Sequence, residues 1–598
     1  MTGGAFSGAK PPINSRLKIV KLSGESHRLF LTAWISISLL AGSLHAASSA
    51  GKRASDYGVP QVRQINQEIR RVWADYELRP SPRCDDGQWC RRVYLDVLGR
   101  IPSVAEVKEF TSNRRATKRA DLVDRLLSAE EYQDQYARNW STIWTNVLIG
   151  RSGGSERNSL TSREGMQQYL RDSLLAGKRY DQMVYELVTA TGTTTPGSDG
   201  FNGAANYLAM KVNDEDGTLA TASTARIFMG LEVQCTQCHN HPFNNWKQQK
   251  FWEFNAFFRQ TRALRRFQEG TRNIAFAELV DEDFGGQARE SNPENAAIYY
   301  ELRNGLLKVA YPVFVDGTEI GTSGLVQQTN RRQELGRLIL ASEYMDKMLV
   351  NRYWAHFMGY GFTKPIDDMG PHNAASHPQL LEYLSEEIRD AEYDLKKLIR
   401  WIVLSEAYSL SSRMNRANEG DDPTLGDTPK FSHFYLRQMR AEELYESLLV
   451  ATKAEQTREN EQERARTKAA WLSQFVTAFG NDEGEESTTF NGTIPQALVL
   501  FNGELIRNAT AGKPGSRLGE IASRNLRPKE AIQLLFLAGL SRNPTAREVD
   551  IANRLWVARA QDQYSGNGRQ RSVTPPALAA LQDLWWAILN SNEFIMNH

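Results

Sequence analysis

Apolar residues recur at three- and four-residue spacing through nearly the whole chain, and that period limits the fold more than any other feature. VRQINQEIRRVWADY (62–76), AEVKEFTSNRRATKRADLVDRLL (105–127), YQDQYARNWSTIWTNVLI (132–149) and YDQMVYELVTA (180–190) show it. So do YMDKMLVNRYWAHFMG (344–359), PQLLEYLSEEIRDA (378–391), LKKLIRWIVLSEAY (395–408), AEELYESLLVAT (441–452) and PKEAIQLLFLAGL (528–540). Ser103, ahead of Ala105 and Glu106, and Ser376, ahead of Pro378, suit helix starts. Strand patterns are few, with RNIAFAELV (272–280) and YPVFVDG (311–317) the best. The expected fold is mainly α and multi-helical, in two halves, with a small β-containing insertion.

A chain of 598 residues is too long for one hydrophobic core, and two to four domains are expected. The organisation read from the sequence is a leader over 1–46, a helical domain over 60–263, a β-containing insertion over 264–324 and a second helical domain over 325–598. RSGGSER (151–157) and TTPGSDGFNG (194–203) read as flexible loops, and SRMNRANEGDDPTLGDTPK (412–430) as a long polar connection. GNDEGEES (480–487) and QDQYSGNGRQRS (561–572) read as exposed loops. The alternating charges of AEQTRENEQERARTKAA (454–470) suit a solvated helix face. With 72 basic and 71 acidic residues, the chain has no basic field that would attract nucleic acid.

The first residues follow the order of a secretory signal. Arg16, Lys18, Lys21 and Arg28 precede the uncharged LFLTAWISISLLA (29–41), and GSLHAASSA supplies small residues with a cut expected after Ala46. That apolar run falls short of the roughly 20 residues that span a bilayer. An uncleaved anchor is the alternative, and no later run is apolar enough to cross a membrane. Export changes how cysteines read. Cys84 and Cys90 flank DDGQW, a spacing that suggests a disulfide in an oxidising compartment.

VQCTQCHNHPFNNWKQQKFWEFNAFF (233–258) holds the other two of the four cysteines, with two histidines and two tryptophans. Cys-x-x-Cys-His is the attachment motif for c-type haem: Cys235 and Cys238 as thioethers, His239 as an iron ligand. FWEFNAFF (251–258) would then wall a flat apolar ligand. Three rivals stay open. Cys235, Cys238 and His241 (or His239) with a distant residue would suit tetrahedral zinc. The two cysteines would also serve as a redox dithiol, though the βαβ context is missing, or as a plain disulfide.

The chain resembles a family of exported bacterial proteins, best known from planctomycetes, described as cytochrome c-like and of unknown function. In that family, domain of unknown function 1549 is followed by domain 1553. RRVYLDVLGRIPSVAEVKEF (91–110), RADLVDRLLSAEEYQDQYARNW (119–140), YDQMVYELVTATG (180–192) and the 233–258 block carry the first part of the resemblance. LVNRYWAHFMGYGFTKPIDDMGPHNAASHPQLLEYLSEE (349–387), YDLKKLIRWIVLSEAYSLSS (393–412) and IPQALVLFNG (494–503) carry the second. The resemblance implies a haem protein, and no reaction is established for the family. Cys84 and Cys90 are not typical of the first block. The small cytochrome c domain that precedes these blocks in some relatives is not seen here, so an electron partner would be another, unknown protein.

Other residues read more plainly. Asp367 and Asp368 are adjacent and would point apart, which favours a turn over acid–base work. His356, between Trp354 and Phe357, reads as a core histidine that has found a partner. His377, five residues after His372 in a loop-rich segment that matches the family, is the candidate for a distant metal ligand, with Met358 and Met369 behind it. Ser-His-Asp, phosphate-loop and His-Glu-x-x-His signatures are missing. Two classes remain: an exported haem protein holding haem c through Cys235, Cys238 and His239 for electron transfer, or an exported scaffold with a structural zinc.

Overall fold

Each of the periodic stretches is helical in the computed structural model, which describes residues 56–598 apart from 214–215, 243–245, 288–291, 459, 480–493, 525 and 566–574. The expected leader, the 480–487 loop and most of the 561–572 loop lie outside the described residues. The 105–127 stretch forms two helices, Val104–Ser112 and Lys118–Ser128. Between them the Asn113 side chain accepts from the Arg115 amide at 2.9 Å, an Asx turn that competes with helix continuation. Ser103 opens the first of the two with a full capping box. Its hydroxyl accepts from the Glu106 amide, and the Glu106 carboxylate accepts from the Ser103 amide. Ser376 does not cap: the N-cap is His377, without a side-chain capping bond, and Pro378 follows it. Proline presets the helical φ and leaves no N–H to satisfy at that position.

The main core draws on helices from both sides of the β-containing stretch. Trp140, in helix Glu130–Ile149, stacks on Tyr353, in helix Glu343–Met358, with ring centroids 4.8 Å apart and planes 3° from parallel. A second core gathers helices Ala441–Thr452, Pro528–Leu540 and Pro576–Leu589, with Leu95 and Ile101 inserted from the first part of the chain. Among the described residues no helix is long and apolar enough to cross a membrane.

The β structure is small and antiparallel. Ile274–Asp281 lies between Gly192–Thr193 and Thr261–Phe267, and Ile298–Glu301 pairs with Leu307–Ala310 as a hairpin. The expected strand at 311–317 is not one; it forms only an isolated bridge, Val313 to Glu319. Pro312 lacks a ladder donor, and the chain turns at Gly317, whose φ is +96°. Two buried arginines tie this region to the helices. Arg331 donates to the carbonyls of Ala256, Ala296, Thr322 and Ser323. Arg332 bonds the Asp281 carboxylate and the carbonyls of Val188 and Ala190. Their hydrogen bonds are what make these buried charges tolerable.

The disulfide expected between Cys84 and Cys90 is absent: both are free, buried thiols. The Cys84 amide donates to the Ser409 carbonyl outside the helix, while Cys90 sits within helix Asp86–Leu98 and packs in the main core. The Asp85 cap begins the helix between the two cysteines. Both pack in the main core.

Candidate functional site

The Cys-x-x-Cys-His motif follows the helix Thr218–Met229, which stops at Gly230 with φ +63°. The Gly230 amide donates to Arg226 and the Leu231 amide to Ala225, satisfying the last helical carbonyls. A side chain at 230 would be strained in φ, and its Cβ would lie 2.8 Å from the Met369 sulfur. Leu231 and Val233 are buried and pin the outgoing chain. Residues Gln234–Gln237 then form one turn of 3-10 helix.

That turn sets the chemistry. Side chains three apart on a 3-10 turn eclipse one another, so Cys235 and Cys238 share a side. Both thiols are free and exposed. Between them Thr236 is buried, its amide and hydroxyl both donating to the Val233 carbonyl. The Gln237 carbonyl accepts from Gln248 Nε2 and Trp252 Nε1, each at 3.1 Å. Gln248 Nε2 also donates to the Glu301 carbonyl at 3.0 Å, so the β hairpin braces the turn. His239 Nδ1 lies 2.7 Å from the Asn240 carbonyl. A carbonyl only accepts, so Nδ1 carries the proton and, in the neutral ring, Nε2 keeps its lone pair for a metal. The Cys235 thiol is raised above its ordinary range, by burial first and then by the carboxylates of Glu232 and Asp368, with the Cys235 backbone opposing.

The loop 366–373 from the second part of the chain lies against the motif. The Met369 amide donates to the Gly230 carbonyl at 2.7 Å. Arg226 meets Asp367 at 2.9 Å, and Asp368 meets His372 Nε2 at 2.9 Å. The two adjacent aspartates therefore face different partners. The His372 ring is 5.3 Å from that of His241. Burial first, and the nearby His372 and His239 next, hold His241 below its ordinary value against the pull of Asp368. Sequence patterns do not mark His372 and Glu232 as members of this site. The one local signal is the four-residue spacing of Asp368 and His372.

Two expectations change. FWEFNAFF does not wall the motif: Phe251, Phe254, Phe257 and Phe258 are buried in the main core, and Phe254 packs on Phe314. From that stretch Trp252 reaches the turn, while its ring stacks on Tyr300 at 6.0 Å. His377 sits elsewhere, 2% exposed, between Phe362 and Phe431. Its Nδ1 meets the Ser376 hydroxyl at 2.9 Å, and its buried Nε2 has no partner. His356 is a core histidine, its Nε2 on the Asp96 carbonyl at 3.1 Å and its ring beside Trp140. Met358 is fully buried in the main core.

The donor set fits the group that the motif implies: two accessible thiols on one side and a histidine with its second nitrogen oriented. For zinc, no three His, Cys, Asp or Glu side chains converge among the described residues. Residues 64–263 match a family model described as a protein of unknown function, DUF1549 (PSCyt2). Residues 331–556 match a second, described as a protein of unknown function, DUF1553 (PSD1). Comparison with curated proteins and with solved structures finds no match.

Proposed function

We propose the following for a chain that belongs to the planctomycete cytochrome-like family of unknown function, PSCyt2 followed by PSD1: it is an exported protein that holds one haem c and transfers electrons. The observation that carries this reading is the side-by-side placement of Cys235 and Cys238 on one braced turn, with His239 next in the chain. Cys235 and Cys238 would hold the group through thioether bonds. His239 Nε2 would be a ligand to its iron. Bound there, the group would supply a one-electron iron couple.

The chain's own part is to position. Gln248 and Trp252 fix the Gln237 carbonyl, and with it the spacing of the thiols. The Asn240 carbonyl fixes the His239 tautomer. Met369 lies against Gly230, close to the motif, whereas His377 is enclosed by Phe362 and Phe431. Export rests on the basic, apolar and small order of residues 16–50, and mature protein should begin near Ala47.

The test is the exported protein, purified from a host able to mature c-type cytochromes. A Soret band that survives acid–acetone extraction, lost in Cys235→Ser/Cys238→Ser, supports the reading. Colourless protein with stoichiometric zinc overturns it in favour of a structural site at Cys235, Cys238 and His239 or His241.

A further inference from the structure

A cavity of about 840 Å³ runs along one face of the helix Thr218–Met229. Leu219, Ala222, Ser223, Arg226 and Ile227 line it, at the three- and four-residue spacing that places side chains on one face. Its size is that of a small-molecule site. Ile143, Val147 and Met210 join Leu219 in an accessible apolar wall: Met210 and Leu219 are 45% and 46% exposed, and the other two are half-buried. Past the C-terminal end of the helix the lining reaches Glu232 and Gln234. The cysteines are not part of it.

The charges in the lining are unevenly matched. Every cation there is engaged. Arg151 pairs with Glu442, Arg226 with Asp367, Arg437 with Asp96 and Glu443, and Arg440 with Glu443. Lys211 donates to the carbonyls of Leu148 and Tyr207, and Arg352 is not free. Of the three carboxylates in the lining, Asp367 is paired and Glu156 is exposed. Glu232 is half-buried, and no lysine or arginine among the described residues forms an ion pair with it. Burial first, then the carboxylates of Asp367 and Asp368, push it above its ordinary value against Arg226 and the Gln234 amide. An unpaired charge held partly out of water is unfavourable, and a cation entering the cavity would offset both burial and the neighbouring carboxylates. The helix ends on the same side, where its dipole also favours positive charge.

We propose that this cavity binds an organic amine, its ammonium group against the Glu232 carboxylate and its apolar body running along the helix toward Ala222. The site is separate from the cysteines and does not depend on what they hold. Its wall does include Gln234, the residue before Cys235, so the ammonium end would lie next to the attachment turn.

The test is calorimetric titration of the full purified chain near neutral pH, with and without haem. The probes are octylamine and 4-phenylbutylamine beside the neutral alcohols of the same skeletons. At least one amine should bind at a single site, ten-fold or more tighter than its alcohol. Glu232→Gln, which keeps the shape and removes the charge, should weaken that amine ten-fold or more. Ala222→Phe, which fills the cavity from a half-buried helix position, should weaken it as much. Leu219→Trp, at a more exposed lining position, serves the same purpose if Ala222→Phe folds poorly. Binding of neither amine, equal binding of amine and alcohol, or unchanged amine affinity in folded Glu232→Gln or in a folded, cavity-filled variant overturns the proposal. Each of these outcomes is independent of the Soret band.

Discussion

His241 and His372 lie ring to ring, 5.3 Å between centroids, and through them the motif segment meets the Asp368 loop. Aromatic pairs of this kind are worth about 0.5–1.5 kcal/mol beyond their burial. A double-mutant cycle on His241→Ala and His372→Ala, read by urea unfolding, should give a coupling of about 1 kcal/mol. Additive losses would mean that the two rings do not hold the loop to the motif.

Asp96 should be the most sensitive buried charge between the two cores. It accepts from Arg437, from Tyr408 at 2.6 Å and from Asn597 at 2.8 Å, while Arg437 also bonds Glu443 at 2.9 Å. Removing one member of a buried network leaves the others uncompensated, at a cost of about 3–5 kcal/mol. Asp96→Ala should therefore lower stability by that order, measured by chemical denaturation. Asp172→Ala, at an exposed position of helix Arg163–Leu175, serves as the control.

Cys84 and Cys90 should react with iodoacetamide only in denaturant, and reductant should leave Tm unchanged. Both are buried, and burial pushes the Cys90 thiol far up, away from the reactive thiolate. A drop in Tm on reduction, or a peptide linking the two, would restore the disulfide.

His377 should make the protein sensitive to mild acid. Burial lowers it from 6.5 to about 4. The unfolded chain takes up this proton as pH falls below 6.5, and the folded chain refuses it until about 4. Stability contributed by keeping the ring neutral is thus intact above pH 6.5 and is lost as pH falls toward 4, at no more than about 1.4 kcal/mol per unit. His377→Phe, which also removes the unpartnered Nε2, should be within about 1 kcal/mol of the parent at pH 7. At pH 5 it should be the more stable by about 1–2 kcal/mol. Its visible spectrum should match the parent's, because His377 packs on Phe362 and Phe431; a changed spin state would make it an iron ligand after all.

Local order is legible in the order of residues alone. The three- and four-residue period locates the helices, because an amphipathic face is a property of consecutive residues. Ser103 and Glu106 announce their capping box, and Cys235, Cys238 and His239 announce a motif whose chemistry depends on spacing alone. The Asn113 break is less visible, since one side-chain bond to the Arg115 amide decides it. Ser376 misleads because Pro378 removes the amide that a cap would serve.

What only the tertiary structure decided is which distant segments meet. FWEFNAFF is equally apolar as a ligand wall or as core, and the packing of Phe254 on Phe314 made it core. Asp368 and His372 join the motif because Met369 docks on Gly230. His377, with a comparable local setting, is drawn instead beneath Phe431. Hydrogen bonds and apolar contacts between residues far apart in the chain leave no period in either segment. By itself the sequence determined the helices and the Cys-x-x-Cys-His turn; burial and long-range pairing determined what surrounds that turn.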